Sequence, residues 1–391
     1  MIYKDFKGIN LPALGFGGMR LPQTESSGPI CKKTVEEMVE YALNNGVNYF
    51  DTAFFYHAGE SEIVLGEVLS KYPRDTWYIA DKFPGNFMKY EDGKLAMDLT
   101  SMGMDTRVYN TPKEIFEHQL KTCGVEYFDF YMLHQVAECT YDIYNNEELG
   151  ILNYLLEEKK AGRIKYLGFS SHGRYETIDK FLTKYNCFEY VMIQLNYLDW
   201  TLQEAGKKYD VLVKHNIPVF VMEPVRGGLL AAPGKEAEAL LKEARPNDTP
   251  VSWAFRFLQS LPGVVTTISG MSNMEQLKEN IEIYKSSDPT TESEKALLQK
   301  IVDGMASFVP CTSCRYCCGA CPQKLDIPML IATYNEASHG LSWYVEELLS
   351  SLSDAEKPEA CTACGICNPY CPQDIDIPDT FKKFSELLNK K

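Results

Sequence analysis

Hydrophobic positions along the first three quarters of the chain follow two alternating rhythms. Short runs rich in β-branched and aromatic residues fall near Ala13–Gly17, Val47–Thr52, Thr76–Lys82, Phe128–His134, Ile164–Ser170, Tyr190–Asn196, Pro218–Glu223 and Val264–Ser269, and read as strands. Interleaved with them, apolar residues recur at helical spacing over Thr34–Asn45, Ser61–Lys71, Pro112–Thr122 and Gly150–Lys160. The same spacing returns over Arg174–Tyr185, Leu202–His215, Pro250–Leu261 and Met274–Lys285. Boundary chemistry agrees with this division. Thr249-Pro250 sets an N-cap before a first-turn proline, and Asn45-Gly46 and Ala161-Gly162 mark C-terminal stops. Strict alternation over roughly 250 residues requires a parallel α/β sheet, and eight repeats favour a closed (β/α)8 TIM-type barrel over an open doubly wound sheet. Chemistry in such barrels gathers at the C-terminal strand ends. The residues to inspect there are Asp51, Lys82 and His134, with Tyr56 five positions beyond Asp51.

Past residue 286 the rhythm changes. A helix expected from about Thr291 to Phe308 leads into Cys311-Thr-Ser-Cys314-Arg-Tyr-Cys317-Cys318-Gly-Ala-Cys321-Pro322, which recurs as Cys361-Thr-Ala-Cys364-Gly-Ile-Cys367-Asn-Pro-Tyr-Cys371-Pro372. Both copies read C-x2-C-x2-C-x3-C-P, the spacing of bacterial two-cluster ferredoxins, in which the fourth cysteine serves the other cluster. Cluster one is therefore assigned Cys311, Cys314, Cys317 and Cys371, and cluster two Cys361, Cys364, Cys367 and Cys321. A zinc site usually takes two separated C-x2-C pairs, so the triplet followed by C-P is surplus to it. Disulfides fit poorly with a large chain lacking a secretory segment. Cys318 stands out of phase, as a bystander or a spare ligand. The repeated Cys-Pro-Gln-x-x-Asp-Ile-Pro marks a duplication. Helical patterns at Ile327–Glu336 and Ser342–Ser351 predict a mainly helical ferredoxin-like domain. The expected division is a barrel over 1–286, a linking helix over 287–309 and the cluster domain over 310–391.

Composition narrows the partners. A net charge of −15 argues against nucleic acid and anionic membranes. No apolar run reaches the ~18–20 residues of a membrane helix, and the first residues lack a signal-peptide pattern. Oxygen-labile clusters with unpaired Cys31, Cys123, Cys139 and Cys187 point to a reducing cytoplasm, plausibly of an anaerobe. One long connection, Pro84–Thr111, carries Met88, Met97, Met102 and Met104; it reads as an adaptable apolar cover over the barrel mouth or as an insertion packed on the cysteine domain.

Taken singly, Asp51, Lys82 and His134 have ordinary structural explanations. Together on one barrel face they make an acid–base set. A lysine ammonium beside a tyrosine favours the phenolate and lowers a pKa that is ordinarily near ~10. Asp51 then holds Lys82 in place, and His134 orients a substrate oxygen.

Leu14-Gly-Phe-Gly-Gly-Met-Arg20, Phe50-Asp51-Thr-Ala-Phe-Phe-Tyr56, Asp81-Lys82 and Met132-Leu-His134 resemble the aldo-keto reductases over the first ~286 residues. The resemblance implies a catalytic tetrad of Asp51, Tyr56, Lys82 and His134. It also implies a nicotinamide cofactor (NAD(P)H), with hydride passing between it and a small carbonyl or alcohol substrate. The residues it implies for that cofactor are Gly18, Met19 and Arg20 at the first strand end, and Ser170, Ser171 and Gln194 at the carboxamide. Met222, Pro224 and Arg226 follow strand seven, and Gly270, Ser272, Gln276 and Asn280 face the adenosine phosphates. Two departures stand out. Met222 replaces a stacking aromatic, and Gly270 and Gln276 replace a cationic phosphate clamp, so a preference for NADP is not supported. Those losses leave flavin mononucleotide open as another occupant. The resulting expectation is an iron–sulfur aldo-keto reductase-like oxidoreductase, served by an external ferredoxin or other electron carrier. Its alternative is an electron-transfer or redox-sensing subunit whose barrel binds a nucleotide or flavin without turnover. Clusters that only clamp the C-terminus are a third reading.

Overall fold

The chain opens on a hairpin that the strand pattern above did not include. Strands β1 (Tyr3–Phe6) and β2 (Ile9–Pro12) pair antiparallel around Lys7 and Gly8. Both turn residues have positive φ, 51° and 87°, as a tight hairpin turn with the right twist requires. The computed structural model describes all residues except 26–27, 86–87, 92–93, 98–106, 138–139, 306–308, 339–344, 346–348, 351 and 390–391.

After the hairpin come β3 (Leu14–Gly17), α1 (Lys32–Asn44), β4 (Tyr49–Asp51), α2 (Glu60–Leu69) and β5 (Tyr78–Phe83). The long connection then forms a small antiparallel sheet, β6 (Met88–Glu91), β7 (Lys94–Met97) and β8 (Arg107–Tyr109). Met88 and Met97 are buried there; Met102 and Met104 lie outside the described residues, as does Cys139. Next follow α3 (Pro112–Cys123), β9 (Phe128–Leu133), α4 (Tyr141–Asn145), α5 (Ile151–Lys160), β10 (Ile164–Ser171), α6 (Tyr175–Lys184) and β11 (Tyr190–Gln194). The repeat finishes with α7 (Asp199–Leu202), α8 (Ala205–Lys214), β12 (Val219–Met222), α9 (Lys235–Ala244), α10 (Pro250–Gln259), β13 (Val264–Gly270) and α11 (Met274–Ile283). Strands β3, β4, β5, β9, β10, β11, β12 and β13 close, in chain order, into one parallel barrel. The predicted caps are in place, since the Thr249 hydroxyl accepts from the Ser252 amide (3.2 Å) ahead of Pro250, and Gly46 and Gly162 have φ of 82°.

Side chains alternate across the barrel wall. Inward residues Tyr49, Ala80, Phe130, Met132, Tyr190, Met192 and Phe220 pack among themselves, whereas Phe50, Ile79, Tyr131 and Leu133 pack outward under the helices. The hairpin's Phe6 joins the inner group from the N-terminal end. Its ring meets those of Phe130 (5.6 Å), Tyr166 (5.0 Å), Tyr190 (6.2 Å) and Phe220 (5.4 Å). The hairpin thus stoppers the floor of the barrel and leaves the opposite end for chemistry.

Helix α12 (Glu292–Met305) is not a free linker, because its Leu298, Ile301, Val302 and Met305 are buried in the barrel's outer core. The cysteine domain has its own core, built on α13 (Ile327–Ala337) and α14 (Ile377–Leu388) around Leu330, Ile331, Ile377, Phe381 and Phe384. The expected helix Ser342–Ser351 falls largely outside the described residues. Among the described residues no helix is long and apolar enough to cross a membrane. Phe6→Ala should remove about 3–5 kcal/mol of stability, as deletion of a buried aromatic does. A fall in the denaturant midpoint with unchanged visible absorbance of the holoprotein checks it.

Candidate active site and cysteine centres

The alternation that packs the barrel also aims its polar strand ends. In β4, Tyr49 and Asp51 point inward; in β5, Ala80 and Lys82 do; and Phe130, Met132 and His134 continue the inward row of β9. Tyr56 follows β4 on a tight turn in which His57, Ala58 and Gly59 all take positive φ. His57 braces that turn by accepting the Leu21 amide on Nε2 (3.0 Å). Four candidate groups thereby meet at the C-terminal mouth, in a cavity of about 250 Å³.

Lys82 and Asp51 form a buried ion pair there. The Lys82 Nζ donates to Asp51 Oδ1 (2.6 Å) and to the Thr52 carbonyl (2.6 Å), and the two side chains are 1% and 4% exposed. The ammonium also sits 4.7 Å from the centre of the Tyr56 ring. The phenol is not acidified in this state, contrary to the sequence expectation. Burial, then the charges of Asp51, Glu223 and Asp81, push its pKa well above the usual value, against a small opposing effect of Arg20. The first reason is burial, which withholds the water a phenolate needs. His134 is held neutral, because burial and the Lys82 charge depress its pKa. Phe55 stacks on its ring (4.9 Å, 13°), and the Tyr144 hydroxyl donates to its carbonyl (2.6 Å). Of the tetrad, Asp51 Oδ2 and His134 Nδ1 are buried without a hydrogen-bond partner among the described residues.

The outward face of β5 clamps the lysine's backbone. Asp81 Oδ1 accepts the Lys82 amide (2.8 Å), while Gln119 Nε2 donates to the Lys82 carbonyl (3.0 Å) and to Glu62 Oε1 (3.1 Å). Burial raises the Asp81 carboxyl to about 7 against hydrogen bonding from Glu62 and the Lys82 amide.

The residues expected at a cofactor divide. Met19, Arg20, Met222, Pro224, Gly270, Ser272, Gln276 and Asn280 line the same cavity as the tetrad. Gly18, Ser170, Ser171, Gln194 and Arg226 do not, and local bonding explains the difference. The Gly18 carbonyl accepts from Ser61 (3.0 Å). Ser170 accepts the Gln135 amide (2.9 Å), and Ser171 donates to the Val136 carbonyl (2.6 Å), so both serine hydroxyls bind the loop after β9. Gln194 and Arg226 are held in a buried polar knot with the cysteine domain. Gln194 exchanges amide hydrogen bonds with Gln373 (2.8 and 2.7 Å) and donates to Asp199 (2.7 Å). Arg226 pairs with Asp199 (3.1 Å) and reaches Gln373 (3.4 Å), which Gln203 also contacts.

Sequence reasoning missed Gln373 and the cavity wall formed by Thr312, Cys314, Tyr316 and Pro372. Arg20 joins the two parts by donating to the Thr312 carbonyl (2.8 Å), and the loop at Gly227 passes so close that a Cβ there would lie 2.7 Å from the same carbonyl. A signal for Gln373 was visible in the repeated Cys-Pro-Gln, but its counterpart Gln323 is exposed.

The eight motif thiols fall into two groups. The charges of Cys311 and Cys371 act on Cys314, and those of Cys314 and Cys371 act on Cys317. Cys367 is surrounded instead by Cys321, Cys361 and Cys364. Each group thus takes its fourth thiol from the other motif. Among the described residues no three of these thiols come within 4.8 Å of one another. Two groups of four thiols, each in the C-x2-C-x2-C-x3-C-P spacing with the fourth from the other motif, fit two iron–sulfur clusters. Cys318 is hydrogen-bonded to Cys317.

Comparison with known proteins agrees with this division. Residues 13–303 match the model described as the aldo/keto reductase family, and residues 310–375 that of a 4Fe-4S dicluster domain. An uncharacterized oxidoreductase, YqkF, of Bacillus subtilis is 26% identical over 310 residues, covering 74% of this chain and 92% of the relative. An NADH-specific methylglyoxal reductase of Escherichia coli is 25% identical over 283 residues, covering 64% and 82% respectively. A probable aldo-keto reductase of Glycine max is 30% identical over 168 residues, a match spanning only 42% of each chain. Among solved structures, the holo form of aldo-keto reductase AKR11C1 from Bacillus halodurans superposes with a TM-score of 0.59 at 25% identity. That superposition covers 77% of this chain and 96% of the other.

Two predictions follow from the bonding. Asp81 holds in the folded state a proton that its unfolded form, with a pKa near ~4, releases. Its contribution to stability is complete below that value and declines as pH rises to about 7. Urea titrations across this window should show a fall that Asp81→Asn flattens. Gln373→Ala strips buried partners from Gln194 and Arg226 and should cost about 1–3 kcal/mol, whereas Gln323→Ala should leave the midpoint unchanged.

Proposed function

Because the chain belongs to the aldo/keto reductase family, we propose that this oxidoreductase interconverts a small carbonyl and its alcohol, with Tyr56 as general acid and base. One observation carries the reading: Asp51, Tyr56, Lys82 and His134 converge on a single cavity, with a buried ammonium against the face of the phenol. Tyr56 keeps its proton in the resting site and donates it to the oxygen of a carbonyl being reduced. Lys82 stabilises the phenolate that results, and Asp51 keeps the ammonium charged in a buried setting. His134, neutral, orients the same oxygen by donating a hydrogen bond.

The donor set also suits a nicotinamide dinucleotide. Arg20 and the N-terminal turn of α11, with Ser272 and Gln276, suit its phosphates, and Met222 and Pro224 offer apolar contact. When bound, such a cofactor supplies hydride. Glu279 faces the cavity beside Gln276 and Asn280, and its carboxylate opposes a 2′-phosphate, which favours NADH.

The thiols of Cys311, Cys314, Cys317 and Cys371 hold cluster one in this reading, and those of Cys321, Cys361, Cys364 and Cys367 cluster two. Cys314 borders the catalytic cavity, so it would hold cluster one beside the reacting centre. Around cluster two, Cys364 is exposed and Ile366 and Tyr370 present 52% and 42% of their surface, a natural landing place for an external one-electron carrier. Such clusters belong in a reducing cytoplasm.

A second reading, a barrel that binds a nucleotide without turnover, draws on the use of Gln194 and Arg226 as domain contacts. Tyr56→Phe separates the two. Under the enzyme reading kcat for carbonyl reduction falls about 10²–10⁴-fold while the cluster absorbance stays unchanged. Physiological activity untouched by the substitution supports the second.

A further inference from the structure

The cavity over the tetrad is walled in part by the cysteine domain. Tyr316, between Cys314 and Cys317, lines both that cavity of about 250 Å³ and an open trench of about 1340 Å³ between the barrel mouth and the cysteine loop. Its ring meets Phe55 edge to face (5.7 Å, 81°), and Phe55 in turn stacks on His134. The backbone on either side is bent to place it: Ser313 and Arg315 take φ of 56° and 66°, conformations uncommon for residues with side chains. Anchors fix the loop, with Arg20 on the Thr312 carbonyl (2.8 Å) and Arg315 paired to Asp326 (3.0 Å).

We propose that Tyr316 is the specificity-determining residue of the barrel cavity, a partition that admits short carbonyl compounds and excludes long or aryl ones. The proposal rests on the carbonyl-reductase reading for its substrate class and on the two adjoining spaces for its geometry. Met19, Arg20, Tyr56, Ser272 and Cys314 border both spaces as well, and truncating the Tyr316 ring would widen the passage beside Tyr56 and lift the size limit. The selectivity of the barrel is therefore written in the cysteine loop, outside the barrel's own sequence.

Binding of inert primary amides, unreactive stand-ins for aldehydes, tests this on the anaerobically prepared holoprotein by calorimetry, using acetamide to octanamide and benzamide. The wild type and Tyr316→Phe should bind the short amides and lose at least tenfold in affinity for octanamide and benzamide. Tyr316→Ala and the milder Tyr316→Leu should recover that tenfold, with cluster absorbance unchanged. A size limit that ignores residue 316, relaxation seen only with loss of cluster absorbance, or failure of every amide to bind overturns the proposal. Turnover of an aldehyde series is measured in parallel. A limit that responds to residue 316 in a protein reducing no aldehyde sinks the carbonyl-reductase reading and leaves the partition standing.

Discussion

An ammonium group sealed inside a barrel is the constraint from which the rest of this structure follows. Burying Lys82 is unfavourable unless its charge is matched and its donors are satisfied. Asp51 and the Thr52 carbonyl do this at 2.6 Å each. The pair needs neighbouring strands that turn both residues inward, with Lys82 one inward step beyond Ala80, the register partner of Asp51, and the closed sheet provides this. Burial in the same site keeps the proton on the phenol of Tyr56, with the Asp51 charge adding to it, and burial with the Lys82 charge holds His134 neutral. On the far side of the wall, Asp81 and Gln119 grip the lysine's amide and carbonyl, so the side chain hangs from a strand braced on both faces.

The cysteine domain belongs to this same arrangement. Beside the aromatic contact of Tyr316 with Phe55, it meets the barrel through polar bonds, Gln373 with Gln194 and Arg226 in a buried site and the Thr312 carbonyl with Arg20. Such bonds are directional, and an unmatched partner in a buried site is costly, so they fix orientation more firmly than an apolar patch of equal area. The domain thereby becomes a wall of the cavity, with Cys314 and Tyr316 facing the tetrad.

The strand ends were legible because two physical rules, period-two alternation and closure after eight repeats, act on residue types alone. Asp51, Lys82 and His134 followed from them. The hairpin at Tyr3–Pro12 also left a signal, alternation about a Lys7-Gly8 turn, but it precedes the repeat and was passed over. The fate of Gln194 and Arg226 was not legible. Their partner lies far along the chain, and the repeated Cys-Pro-Gln contains both the buried Gln373 and the exposed Gln323 with no local difference to tell them apart. The ionisation of Tyr56 was misjudged for a related reason. The strand pattern places a lysine and a tyrosine at one barrel end, whereas the loss of water that dominates the phenol's pKa depends on how deeply the fold buries it.

The cross-over of the fourth cysteines has a consequence for biogenesis. In the proposed assignment Cys371 completes the site begun at Cys311, so that centre cannot be finished before residue 371 has been made. The barrel, made first, must then wait with its mouth uncapped and Gln194, Asp199 and Arg226 in water. Completion of that centre and the docking of Gln373, two residues further on, then fall together in time.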